Sequence, residues 1–89
     1  MPYVDVTISN KLGLHARAAA RLTKLAGQFS SEIFIAKGKR RVNAKSIMGV
    51  MMLAAGLGTE VRVDAEGADA EQALTDIEAL FNDKFGEDA

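Results

Sequence analysis

The sequence predicts an α+β fold, a two-layer open-faced sandwich with three helices on one face of a four-stranded, mostly antiparallel sheet. Three observations carry that expectation. Some short segments alternate apolar and polar residues with the period of a strand, others repeat apolar residues with the period of a helix, and they follow one another as β-α-β-β-α-β-α.

In the first segment Val4, Val6 and Ile8 alternate with Tyr3, Asp5 and Thr7, as on a half-buried strand. From Ala16 to Ala26 the period lengthens, so that Ala18, Ala19, Leu22, Leu25 and Ala26 share one helical face, with Gly27 placed to end the helix. Ile33 to Lys37 and Arg40 to Asn43 read as strands joined by a Gly38-Lys39 hairpin turn. A short apolar helix follows, from Ser46 or Ile47 to Leu53 or Ala54, before Gly56 and Gly58 break it. Val61, Val63 and Ala65 alternate as a fourth strand. Asp69 and Gln72 resemble a capping box opening a last helix, in which Ala70, Ala73, Leu74, Ile77, Leu80 and Phe81 form one stripe. Residues 1–89 show no repeat and no linker, and read as one domain with a loose tail from Gly86 to Ala89.

A chain of 89 residues, 48% hydrophobic and 26% charged, has the composition of one small soluble domain. Such a domain buries only roughly 60–65% of its unfolded surface, which favours a binding surface over a deep catalytic cleft. Without cysteine there is no disulfide, thiolate metal site or cysteine nucleophile. The start MPYVDVTISN has neither the basic region nor the apolar run of a signal peptide, and no stretch is long enough to span a bilayer; a cytoplasmic protein is expected. The net charge of -1 hides an asymmetry. Residues 1–45 hold nine Lys and Arg against Asp5 and Glu32, whereas residues 46–89 hold Arg62 and Lys84 against ten acids. That split reads either as solvated surface or as a basic face that steers acidic partners.

His15 is the sole histidine, between a strand-to-helix loop and the first turn of the helix. Alone, it reads as a polar cap or surface residue. A helix N-terminus, however, presents unpaired backbone N–H groups and partial positive charge to an anion, and Arg17 in the same turn can fork onto phosphate oxygens. A neutral imidazole nitrogen can attack phosphorus and later release it, and phosphoryl transfer asks little more of a protein than a nucleophile, access and charge stabilisation. Gly13 allows a tight entry to the helix, and Arg17, Arg21, Lys24 and Gln28 form a stripe opposite the apolar face. The scattered carboxylates and single histidine show no metal-ligand spacing, so no metal or cofactor is expected.

Ser46 opens the second helix, whose sequence is apolar on almost every side. Ile47, Val50, Met51 and Leu53 either divide between core and rim or leave a Met-rich patch for adaptable docking. Ser46 itself reads as an N-cap, or as a modification site where added negative charge is tolerated.

Taken together, Asn10-Lys11-Leu12-Gly13-Leu14-His15-Ala16-Arg17 and Asn43-Ala44-Lys45-Ser46-Ile47-Met48-Gly49-Val50-Met51 resemble the two motifs of HPr, the histidine-containing phosphocarrier family of the bacterial phosphoenolpyruvate-dependent phosphotransferase system (PTS). One departure is Ala18, where many members have Pro; Ala is itself an excellent helix former. The resemblance implies phosphorylation of His15 on Nδ1 by phospho-enzyme I and donation to an enzyme IIA domain, with Arg17 stabilising the phosphate. It also implies a docking face of Arg21, Lys24, Ile47, Met48 and Met51, and Ser46 as a target of an HPr kinase/phosphorylase. The expected protein is a monomeric carrier of a transient phosphohistidine, in the sugar or the nitrogen-related branch, rather than a free-standing enzyme.

Two rival classes are a nucleic-acid binder and a phosphate-independent adaptor. Lys37, Lys39, Arg40, Arg41 and Lys45 suggest the first, but the segment GKRRVNAK contains no aromatic residue to stack on bases. Replacing His15 separates carrier from adaptor.

Overall fold

In the computed structural model, which describes residues 1–87, period-2 alternation produces β1 (Tyr3–Thr7), β2 (Glu32–Lys37), β3 (Arg40–Asn43) and β4 (Glu60–Glu66). The strands form one sheet in the order β1-β4-β2-β3, and all three pairings are antiparallel. In register, Val4 faces Val63, Val6 faces Val61 and Ile35 faces both Val63 and Val42, so one face of the sheet is apolar. The other face is solvated. There Arg62 pairs with Asp5 at 2.8 Å and lies over the Tyr3 ring, while Arg41 pairs with Asp64 at 2.6 Å and lies over Phe34.

Helices α1 (Ala16–Ala26), α2 (Ile47–Met52) and α3 (Ala70–Asn82) cover the apolar face. Ala18, Ala19, Leu22 and Ala26 of α1 pack with Val50 of α2, Ala73, Ile77 and Phe81 of α3, and Ile33, Ile35, Val61 and Val63 of the sheet. Ala18 is fully buried. The expected two-layer α+β sandwich is therefore observed. Lys37 and Arg40 face each other across the Gly38-Lys39 turn, where Gly38 takes a positive φ of 59° while Lys39 does not, the pattern of a hairpin turn with glycine in its first place.

Two local expectations are corrected. Asp69 makes no side-chain hydrogen bond within α3, so there is no capping box; its carboxylate instead accepts from the Ser30 and Ser31 backbone N–H groups at 2.9 and 3.0 Å and from both hydroxyls, while Gln72 reaches Asp76. The tail is not loose as far as Glu87. After a Lys84–Gly86 turn, Phe85 is buried with its ring edge-on to Phe81 at 4.8 Å, and the Arg21 guanidinium donates to the Phe85 carbonyl. The remainder of that expectation, at residues 88–89, lies outside the described residues.

Candidate functional site

The chain enters α1 through a turn that only glycine fits. Gly13 has φ 67°, and a Cβ there would lie 2.6 Å from the Ala55 carbonyl oxygen and 2.7 Å from Gly56 Cα, because the 55–56 backbone passes directly against it. The Leu14 N–H donates to the Ala55 carbonyl at 2.9 Å, fixing the loop. The buried Asn10 amide donates to the Gly13 carbonyl at 2.8 Å from the other side. His15 then emerges as the N-cap of α1.

The His15 ring caps through Nδ1, which accepts the Arg17 backbone N–H at 3.2 Å. Its other nitrogen, Nε2, lies 2.5 Å from Glu87 Oε2, and the second Glu87 oxygen accepts from the Asn10 amide at 3.1 Å. An ionised carboxylate only accepts and a backbone N–H only donates, so these partners assign the neutral ring the Nε2–H tautomer with its lone pair on Nδ1. That lone pair points at the positive end of a helix. The Asn10 amide, together with the His15 ring and the Arg17 charge, outweighs burial and holds the Glu87 carboxyl below its usual value. At neutral pH Glu87 is thus an anion.

Arg17, Arg21 and Lys24 are exposed along one side of α1, as expected, and α1 packs against α2. Arg21 also serves the fold through its bond to Phe85. At the start of α2, Ser46 is the N-cap, its Oγ accepting the Gly49 N–H at 3.1 Å, and it is exposed. Val50 and Leu53 go to the core, whereas Ile47, Met48, Met51 and Met52 are exposed. The structure thus brings His15 and Arg17 together in one turn and lays the Met-rich side of α2 on the helix packed beside α1. Two further exposed apolar residues, Leu12 and Leu57, escaped the sequence reading. Leu12 carries a weak signal, standing two residues before the buried Leu14 within the histidine motif.

Four of the five basic residues of 37–45 have structural partners: Lys37 and Arg40 donate to the Leu53, Ala54 and Met52 carbonyls at the end of α2, Arg41 pairs with Asp64, and Lys45 donates to the Phe29 carbonyl. Among the described residues no group of three or more His, Cys, Asp or Glu is placed to hold a metal ion, and no helix is long and apolar enough to cross a membrane.

A family model described as the PTS HPr component phosphorylation site matches residues 4–83. The phosphocarrier protein HPr of Cupriavidus necator is 54% identical to the chain over 83 residues, 93% of each. The phosphocarrier protein NPr of Shewanella violacea is 48% identical over 83 residues, 93% of this chain and 91% of that one. The crystal structure of HPr-C-His from Thermoanaerobacter tengcongensis matches with a TM-score of 0.96 at 46% identity, over 100% of both chains.

Proposed function

The chain belongs to the HPr family of PTS phosphocarriers, and from that premise we propose that His15 takes a phosphoryl group from phospho-enzyme I and gives it to an enzyme IIA domain. The observation that carries this reading is the histidine's place as the N-cap of α1, with the Nδ1 lone pair aimed at the Arg17 N–H. When Nδ1 bonds to phosphorus, that N–H loses its acceptor on the ring and gains one in a phosphoryl oxygen, so the helix end stays capped in both states. The Arg17 guanidinium follows the transferring group and offsets its charge. Carboxylates of the partner meet Arg21 and Lys24, and its apolar surface meets Ile47, Met48 and Met51, whose flexible side chains suit more than one partner. The protein acts in this scheme as a cytoplasmic monomer, in the sugar or the nitrogen-related branch.

Ser46 is proposed as a regulatory site for an HPr kinase/phosphorylase. Its hydroxyl is exposed on the same helix as the apolar docking residues, so a phosphate there alters the surface a partner must cover.

The test is incubation with phosphoenolpyruvate and enzyme I, followed by intact mass, an acid-lability assay and site mapping. The expected product carries one acid-labile phosphate on His15, which passes to added enzyme IIA. A protein that stays unmodified, or is modified elsewhere, overturns the reading.

A further inference from the structure

Among the described residues, the His15 ring makes polar contacts to two groups, and only one belongs to its own helix. The other is Glu87, which lies 72 residues away in sequence. Three features hold this carboxylate in place. Phe85 is buried against Phe81 and anchors the chain; Lys84, Phe85 and Gly86 have φ of 54°, 56° and 76°, a run of left-handed residues that turns the chain back; and Arg21 of α1 binds the Phe85 carbonyl. Left-handed backbone is disfavoured at a non-glycine residue, so burial and hydrogen bonding over-determine this turn. The side chain it delivers is itself clamped, since Asn10, fully buried in the entry loop, donates to both Gly13 and Glu87.

We infer that Glu87 is a positioning residue for phosphoryl transfer, which keeps the proton of His15 on Nε2 and neutralises the charge the ring gains on phosphorylation. The inference rests on His15 being the phosphoryl acceptor. A histidine free to turn or to exchange tautomers carries its lone pair on Nδ1 for only part of the time; Glu87 and the Arg17 N–H together hold it there. In the step itself, the Nδ1 lone pair forms the bond to phosphorus as the bond from phosphorus to the donor breaks, and that electron pair leaves with the donor. Nε2 keeps its proton, so the ring becomes an N-phosphoimidazolium facing Oε2. On onward transfer the N–P electron pair returns to Nδ1 and the ring is neutral again. Two charged groups bear on this exchange: Glu87, 2.5 Å from Nε2, faces the developing cation, and Arg17, whose charge also reaches Glu87, is the group that offsets the phosphate.

Two variants separate the two roles. In Glu87→Gln the amide oxygen still accepts from Nε2–H, so orientation survives and charge is lost. In Glu87→Ala both are lost. The readouts are the His15 tautomer, from long-range nitrogen–proton correlation spectra of the unphosphorylated protein with the ring neutral, the kcat and KM of phosphorylation by enzyme I, and thermal melts. The expected unaltered protein shows the Nε2–H tautomer alone. Glu87→Ala shows a mixture, and its kcat falls about three- to tenfold with KM unchanged, the size expected of one partly exposed charge-assisted hydrogen bond. Glu87→Gln keeps the tautomer but still loses kcat. A wild-type tautomer spectrum in Glu87→Ala overturns the inference, as does a rate loss confined to KM or matched by unfolding. Failure of the unaltered protein to accept phosphate would instead overturn the carrier reading, whereas acceptance indifferent to position 87 overturns the role of Glu87 alone.

Discussion

His15 uses one nitrogen for two purposes, since the Nδ1 lone pair that caps α1 is the same lone pair proposed to attack phosphorus. Attack therefore breaks a hydrogen bond worth about 1 kcal/mol, which is remade when the Arg17 N–H turns to the phosphoryl oxygen. This separates the residue's structural role from its chemical one. Asn is among the best N-cap residues but provides no imidazole, so His15→Asn is expected to melt close to the parent and to accept no phosphate. Phosphate on that variant in the enzyme I assay would count against His15 as the acceptor. His15 was legible in the sequence because a lone histidine preceded a helical apolar stripe. Glu87 was not, because its tail has no periodicity and its place is set by Phe85 entering the core and by a left-handed turn that non-glycine residues seldom make.

At the scale of elements, periodicity reports which face is buried but not what satisfies the ends. The strands and helices were legible for that reason, whereas the capping box at Asp69 was not: its carboxylate is taken by Ser30 and Ser31, on a loop nearly forty residues earlier in the chain. The nearby backbone is built around this contact, for a Cβ on Gly67, whose φ is 145°, would lie 2.8 Å from Ser31 Cα. The Ser31 hydroxyl and then the Ser30 N–H lower the Asp69 carboxyl to about 2. A carboxyl depressed in the folded state adds stability that is complete above its unfolded value, near 3.8, and is lost as pH falls through about 2. The prediction is that Asp69→Asn loses stability at neutral pH and shows a shallower fall in melting temperature between these two values than the parent. Parallel melting curves for the two proteins down to pH 2 would remove Asp69 from the list of groups driving acid unfolding.

Across the whole molecule the chain's charge asymmetry is partly neutralised by the fold. Arg41 and Arg62 are held by Asp64 and Asp5 on the solvated sheet face, and Lys37 and Arg40 close the end of α2. Arg17, Arg21 and Lys24 remain exposed along α1, a helix whose first turn carries no acid, beside the apolar side of α2. A partner fitted to that surface is acidic around an apolar centre. Negative charge at Ser46 works against such a partner while suiting the start of α2, since Asp replaces Ser as an N-cap without loss. Ser46→Asp is accordingly expected to melt like the parent and to be phosphorylated at His15 about three- to tenfold more slowly at low salt, the cost of one like-charge contact at an interface. The deficit should shrink as added salt shortens the screening length from about 10 Å at 0.1 M towards about 3 Å at 1 M. Ser46→Ala provides the contrast: it loses the cap, at about 1 kcal/mol of stability, yet keeps the parent's transfer rate while folded. Initial rates and melts of the three proteins across a salt series decide the matter. Equal rates for Ser46→Asp and parent at every salt concentration would leave Ser46 as a helix cap and nothing more.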